Sequence, residues 1–519
     1  MYKLGIDVGG TNTDAVIIDE SYNVIAEVKR ATSLDIYEGI VAALKNVLDV
    51  SGIDKAQIAQ AMLGTTQCTN AIVERKNLAQ IGILRIGAPA TLGVLPMADW
   101  EDDIKGIAAG VEVICGGYEY DGKEITSLDE EAAASFFEKM KEKSVRSIAI
   151  IGAFATIRND QELRAAEICR KIMGDNVHIS ISSEIGTMGI IERENATILN
   201  AALWRVAEKF TDGFAKSLHD EGIDNAAIYL SQNDGTLMTM EYARRYPILT
   251  VACGPTNSIR GASYLSNLKN AIVVDVGGTT TDVGAIQAGF PRESSVAVTI
   301  GGIRTNFRMP DVMSIGLGGG SIIRERNDGS ISVGPDSVGY ELEKKALVFG
   351  GGVMTATDIA VRLGMVNIGD ASKVEHISQE TAKNALKEIR RMTEDAIDAI
   401  KVSNDDCAVI LVGGGSVILP TNLAGASKVV KPNHFGCANA IGSAISKVSG
   451  TFEKLINYDE IPREQALEKA KQEAIQLAVD AGAVRESVEI IDLEDVPLAY
   501  YPGNTNRVKI KAAGELKIE

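Results

Sequence analysis

The sequence predicts an α/β protein of two related lobes that face one cleft, with an insertion on the first lobe and a small C-terminal α+β appendage. Three observations predict it. An eight-residue segment occurs twice, as Asp7-Val8-Gly9-Gly10-Thr11-Asn12-Thr13-Asp14 and as Asp275-Val276-Gly277-Gly278-Thr279-Thr280-Thr281-Asp282. Each copy stands between two short apolar runs. Helical and strand patterns alternate along most of the 519 residues, the pattern of sheets covered by helices.

In chain order, residues 4–6 and 15–18 are apolar runs on either side of the first glycine turn, and 272–274 and 283–286 flank the second. Both read as strand, tight turn, strand. Repetition at such a separation points to two lobes of one architecture. Residues 36–50 have helical spacing, with Ile40, Leu44, Val47 and Leu48 on one face. Residues 90–145 break the alternation and are rich in glycine and acid, so they read as the insertion. Residues 147–154 read as a buried strand, 161–173 as the following helix, and 192–219 as one long helix. Short buried strands are expected at 228–231, 271–275 and 408–412, and a helix over 373–400. Beyond 450 come a charged helix at 463–480 and strand-like runs at 487–493 and 507–512. The expected division is a first lobe at 1–190, a second at 191–450 and the appendage at 451–519.

Composition narrows the function. The net charge is −18, which argues against a nucleic-acid or anionic-membrane partner, since both need a positive footprint. Six scattered cysteines without a CxxC pair fit a reducing compartment, and the four histidines lack metal-ligand spacing. No apolar run is long enough to span a bilayer, and the first residues lack the order of a signal peptide. A cytoplasmic protein is expected.

The repeated segment carries the chemistry. Glycines at a turn let backbone N–H groups approach phosphate oxygens, and Thr hydroxyls add donors. A leading Asp at a strand end is placed to hold Mg²⁺ through water. One copy alone reads equally well as an ordinary hairpin turn. Two copies point to ATP, with its phosphates clasped by Gly9, Gly10, Thr11, Asn12 and Thr13 on one side and by Gly277, Gly278, Thr279, Thr280 and Thr281 on the other. Asp7 and Asp275 are the expected catalytic and metal-organising residues. Asp14 and Asp282 read equally as solvated strand starts. Gly413, Gly414 and Gly415, directly after the strand at 408–412, are expected against the adenosine.

The order of two phosphate loops and an adenosine turn resembles the acetate kinase/hexokinase/Hsp70/actin superfamily, whose lobes are ribonuclease H-like. Within it the chain is similar to the A-type subunits of the hydantoinase/oxoprolinase family over about residues 3–450. The resemblance rests on Gly64-Thr65-Thr66-Gln67-Cys68-Thr69-Asn70-Ala71 with Glu74-Arg75-Lys76, and on Glu192-Arg193-Glu194-Asn195-Ala196-Thr197. It rests also on Asp234-Gly235, Gly254-Pro255, Ile315-Gly316-Leu317-Gly318-Gly319-Gly320-Ser321, Val333-Gly334-Pro335-Asp336-Ser337 and Thr357-Asp358. It implies ATP-dependent opening of a cyclic amide or imide (a hydantoin, 5-oxoproline or a lactam) through phosphorylation of its carbonyl oxygen, with a B-type subunit as partner. Some relatives instead carboxylate ketones. A homo-oligomer is also expected. Thr65, Thr66, Asn70, Gly319, Gly320 and Ser321 are candidates for the substrate cleft. The chain departs from the family at Leu63, where His is usual, at 157–162, at Cys253 to Ser258 and at Tyr340 to Lys344. A chaperone-like reactivating ATPase and a small-molecule kinase are the alternatives. Glu192 and Arg193 read as catalytic residues or, by preference, as an interlobe ion pair, and Cys68 and Cys253 as small buried side chains.

Overall fold

The computed structural model describes residues 1–32, 36–294, 298–307, 309–326, 330–498 and 503–517. Among these, three larger sheets organise the chain. The first has nine strands in the order Glu489–Pro497, Thr505–Gly514, Lys447–Asn457, Thr236–Thr239, Ala227–Ser231, Ile58–Thr65, Tyr2–Val8, Asn12–Asp19 and Val24–Ala31. The second runs Phe290–Pro291, Thr281–Gln287, Ala271–Val276, Cys407–Val412 and Ala426–Val430, with Val312–Ile315 also paired to Thr281–Gln287. The third is parallel, in the order Ala108–Cys115, Ile81–Ala88, Ser147–Gly152 and His178–Ile181.

Central strands such as Ile58–Thr65 and Ser147–Gly152 are buried along nearly their whole length. Helices cover both faces, so these strands are continuous apolar runs and not alternating ones. The helix Ile36–Ser51 turns Ile40, Leu44, Val47 and Leu48 into the core, as its spacing predicts. It packs beside Trp204–Asp220, whose Ala207, Phe210, Phe214 and Leu218 repeat at three or four residues and are buried.

The sheets cut the chain differently from the expected boundaries at 190 and 450. Strands within 227–239 and 447–514 pair with the first sheet, so the C-terminal α+β segment is joined to it by strand pairing. Strand Lys447–Asn457 bonds in parallel to Thr236–Thr239 and antiparallel to Thr505–Gly514, and the helix Arg463–Asp480 covers them through Ala466, Ala470, Ala474 and Ala478. The inserted layer is also wider than 90–145. It takes in the strands at 81–88, 147–152 and 178–181, because an apolar run has the same pattern whichever sheet it joins. The expected helix at 192–219 is two helices, Ile190–Ala202 and Trp204–Asp220, parted at Leu203 with no Gly or Pro to mark the break. The helix expected at 373–400 begins at Gln379, where the Ser378 side chain accepts the Thr381 N–H at 2.9 Å.

Two helices join the first and second sheets. Ala438–Ala444 packs against Tyr2–Val8 and Asn12–Asp19, and Cys253–Ser266 packs against Ala271–Val276 and Thr281–Gln287. The helices cross through glycine. A Cβ at Gly442 would lie 1.8 Å from the Asn257 carbonyl oxygen, and one at Gly261 would lie 2.0 Å from that of Ala438. This crossing holds the two hairpins in place.

Candidate active site

The two repeated segments fold identically. Asp7 pairs with Asp14 and Val8 with Thr13; Asp275 pairs with Asp282 and Val276 with Thr281. Each turn is closed by a glycine N–H, from Gly9 to the Asn12 carbonyl at 3.0 Å and from Gly277 to the Thr280 carbonyl at 2.9 Å. Other loop carbonyls are held by residues outside the turn. Thr32 donates its N–H to the Thr11 carbonyl and its hydroxyl to that of Gly9, both at 2.9 Å. Gly319 and Gly320 donate to the carbonyls of Gly277 and Gly278 at 3.0 and 2.7 Å. Among the described residues, the N–H groups of Gly10, Thr11, Gly278 and Thr279 have no acceptor. A Cβ on Gly278 would lie 2.9 Å from Thr11 Cγ2, so the loops face each other closely. Paired turns with bound carbonyls and free N–H groups make a cradle for an anion.

Below the loops sit four carboxylates. Asp7 is 3% exposed. Burial and the nearby Asp14 push its carboxyl up to about 6, while Asn257 Nδ2 at 3.5 Å and Asn439 Nδ2 at 3.4 Å pull the other way. Burial and Asp275 push Asp282 up to about 6 against the Ser314 hydroxyl that donates to it. Burial also raises Asp275, against the Ser258 hydroxyl at 2.5 Å. Burial raises Asp14 although Lys29 Nζ stands 2.7 Å away. Burial draws the Lys29 ammonium down, and Asp14 outweighs it, leaving it above its ordinary range. Ser258 Oγ lies 2.5 Å from Asn439 Oδ1 as well. Asp7, Asn439, Ser258 and Asp275 therefore form one polar chain from hairpin to hairpin, in which the single Ser258 hydrogen serves one acceptor at a time.

This donor set fits a hard divalent cation, which relieves carboxylates that burial and mutual repulsion disfavour. Among the described residues no three His, Cys, Asp or Glu side chains converge as a complete cage. A magnesium ion on one or two carboxylates, completed by water and phosphate oxygens, needs no such cage.

The other expected site residues separate by role. Thr13 and Thr281 are wholly buried; their hydroxyls go to Thr32 Oγ1 and to the Leu317 carbonyl. That leaves Thr11, Asn12, Thr279 and Thr280 as the loop side chains at the cleft. Gly413 has φ +81°, and a Cβ there would lie 2.2 Å from Asp275 Oδ1; one at Gly415 would lie 2.2 Å from the Gly277 carbonyl. These two let the turn press against the second hairpin, and Gly414 lies beside Lys29. The six cleft candidates fall into two groups. Thr65 and Thr66 end the strand beside the first loop, where the Thr66 hydroxyl donates to the Val8 carbonyl and accepts from Asn70. Gly319, Gly320 and Ser321 lie under the second loop. The two glycine N–H groups donate to the loop, and the Ser321 hydroxyl accepts the Gly318 N–H at 2.8 Å. They support the second loop from beneath.

Glu192 and Arg193 do not pair with each other. Glu192 pairs with Arg304 at 2.9 Å, and the buried Arg193 donates to Ser182 Oγ and to the carbonyls of Thr187 and Gly152. Cys68 and Cys253 are buried, and burial pushes both thiols up to about 12. Lys29, Thr32, Ser258 and Asn439 carry no sequence motif and come to light only in the fold; Asn257 and Ser258 lie in a segment marked by its departure from the family. Lys29→Met should weaken ATP binding severalfold, because it removes the ammonium between Asp14 and the Gly414 turn. Nucleotide titration followed by fluorescence checks this, and an unchanged affinity would remove Lys29 from the site.

Facing glycine turns with free N–H groups above a shared set of carboxylates, one on each of two joined sheets, define a two-lobed α/β protein with a polar cleft between its lobes. The chain belongs to the hydantoinase/oxoprolinase family: residues 3–173 match its N-terminal region and residues 193–451 match the hydantoinase/oxoprolinase domain. It is 26% identical over 389 residues to the caprolactamase subunit alpha of Pseudomonas jessenii, covering 71% of this chain and 55% of that one. It is 25% identical over 396 residues to the acetophenone carboxylase gamma subunit of Aromatoleum aromaticum, covering 70% and 53%. The chain thus spans about half the length of these relatives. The crystal structure of the ATP-dependent caprolactamase from Pseudomonas jessenii shares its fold, with a TM-score of 0.80 at 19% identity over 99% of this chain and 88% of that one. Among the described residues no helix is long and apolar enough to cross a membrane.

Proposed function

We propose that the protein is the ATP-handling subunit of an enzyme that phosphorylates and opens a cyclic amide or imide. The observation that carries this is the pair of facing loops with free N–H groups above Asp7 and Asp275. Family membership supplies the substrate class, since a relative is named for a lactam. The loops would hold the phosphates of ATP, the Gly414 side of the turn would meet the adenosine, and Asp7 and Asp275 would hold a magnesium ion, which would neutralise charge on the phosphates. The amide carbonyl oxygen attacks the γ-phosphorus, the bond to the bridging oxygen breaks, and ADP leaves. Water then adds at the activated carbon, the ring nitrogen departs as the amine, and a second water releases phosphate from the acyl phosphate. The cradle's part is positioning and charge stabilisation, which is most of what phosphoryl transfer needs. A B-type subunit is the expected partner, because the named relatives are themselves subunits.

Phosphate release from MgATP, by the chain alone and with a B-type subunit, tests this against a panel of lactams, hydantoins and 5-oxoproline. Stimulation by a member of the panel is the expected result. Stimulation by a protein and by no small molecule would replace this reading with a reactivating ATPase.

A further inference from the structure

We propose that a cup at the amino edge of the inserted layer binds a small, multiply charged oxyanion, phosphate-bearing or polycarboxylate, away from the nucleotide cleft. The cup encloses about 520 Å³. Its position follows from topology. The strands Ile81–Ala88, Ala108–Cys115 and Ser147–Gly152 are parallel, and the wall is built from residues at their amino ends, among them Gln80, Ala109 and Arg146. Trp204 and Arg205, the first two residues of the helix Trp204–Asp220, complete it. The Ala79 N–H donates to the Ala202 carbonyl at 2.8 Å, which ties the strand side of the wall to the helix side. The wall shares no residue with the glycine turns or with the carboxylates beneath them, so this inference stands apart from the function proposed above.

The chemistry of the wall selects the ligand. Lys143, Arg146 and Arg205 line it and no acidic side chain does, in a chain of 70 acidic and 52 basic residues. All three are exposed, so a solute can reach them. The Arg146 and Arg205 guanidinium carbons stand over the Trp204 ring, 5.6 and 5.2 Å from its centroid. That ring is fixed in turn: it is buried and stacks on His178 at 4.0 Å, with 20° between the planes. Among the described residues neither guanidinium has an ion pair or a side-chain hydrogen bond, whereas Arg85, Arg164 and Arg391 are each held by a carboxylate. A guanidinium steadied by an aromatic face keeps its fork of N–H donors for an oxyanion. Lys143 Nζ donates to the Ala109 carbonyl at 2.6 Å, and an ammonium has two further donors. Three like charges gathered in one hollow repel one another, and an anion that meets all three relieves that repulsion. A monoanion leaves most of the charge unmet, so two or three negative charges fit best. The cations converge on one hollow and do not line a groove, which favours a small molecule over an extended chain.

The full chain is titrated by calorimetry with pyrophosphate and with citrate, at low and at high salt, in the absence and presence of a non-hydrolysable ATP analogue. At least one of the two anions should bind at a single site, more weakly as salt is raised, and the analogue should not displace it. The double variant Arg146→Gln, Arg205→Gln should raise the Kd for that anion at least about tenfold and leave the affinity for the analogue unchanged. Both side chains are exposed, so the fold is kept, and circular dichroism checks this. Binding of pyrophosphate alone makes the ligand a phosphate, and binding of citrate alone makes it a polycarboxylate. No binding of either anion to the wild-type protein, displacement by the analogue, or a wild-type Kd in the double variant would each overturn the site. Binding of polyglutamate and of neither small anion would overturn the small ligand in favour of an acidic protein segment.

Discussion

Asp7→Asn and Asp275→Asn each lower ATP turnover by at least about tenfold, a barrier increase of roughly 1.4 kcal/mol or more. Each aspartate stands next to the end of the strand that enters a glycine turn, and the two are joined by Asn439 and Ser258. On the function proposed above, losing either charge would remove a magnesium ligand while the fold is kept. Wild-type turnover in both variants would refute the site assignment. The same substitution has an opposite effect on stability. The Asp7 carboxyl is raised from its ordinary 3.8 to about 6 in the folded protein. Its ionisation therefore costs the nucleotide-free fold nothing below about pH 4 and the full penalty above about pH 6. Asp7→Asn removes that penalty, so it should stabilise the nucleotide-free protein at pH 8 by up to about 3 kcal/mol, with the gain vanishing as the pH falls to 4. Denaturant unfolding at both pH values measures this. A gain that grows toward low pH would contradict the environment described for Asp7.

Gly442→Ala destabilises the protein by about 3 kcal/mol or more. A methyl group there would sit 1.8 Å from the Asn257 carbonyl oxygen, which is backbone and cannot swing aside. The helices must part, and overpacking of this kind costs about 1–3 kcal/mol, more where nothing yields. Parting them moves Asn257 and Asn439 off Asp7, so turnover should fall along with stability. Gly213→Ala is the contrast: it lies within the helix Trp204–Asp220 with nothing within 4 Å of the added carbon. It should be neutral or stabilising by about 0.5–1 kcal/mol. Chemical denaturation of the two variants separates close packing from helix propensity, and equal, small effects would show that the crossing tolerates a wider gap.

The legible part of the site is the part written in consecutive residues. The repeated Asp-x-Gly-Gly-Thr-x-Thr-Asp turn announced two hairpins, and both form with matching register. The glycine turn at 413–415 was legible as a site neighbour, but its detailed use was not. Gly413 and Gly415 are needed for contact with Asp275 and Gly277, a demand set by strand neighbours that are distant in sequence. Thr13 and Thr281 looked like ligand donors, yet the period-two alternation of a strand turns them inward. Lys29 lies on an ordinary strand and reaches the site only because Val24–Ala31 pairs with Asn12–Asp19 in the register that sets it opposite Asp14.

By itself, the sequence determined the α/β class, the two glycine-turn hairpins, the acidic residue that leads each, and most helix and strand positions. These depend on local pattern: apolar spacing, glycine turns and caps within a few residues of one another. Tertiary structure alone decided which strands share a sheet, that residues 447–514 complete the first sheet, that the inserted layer runs from 81 to 181, and which polar side chains meet across the lobes. Those outcomes depend on pairing between segments tens to hundreds of residues apart, and an apolar strand has the same pattern whichever neighbour it hydrogen-bonds.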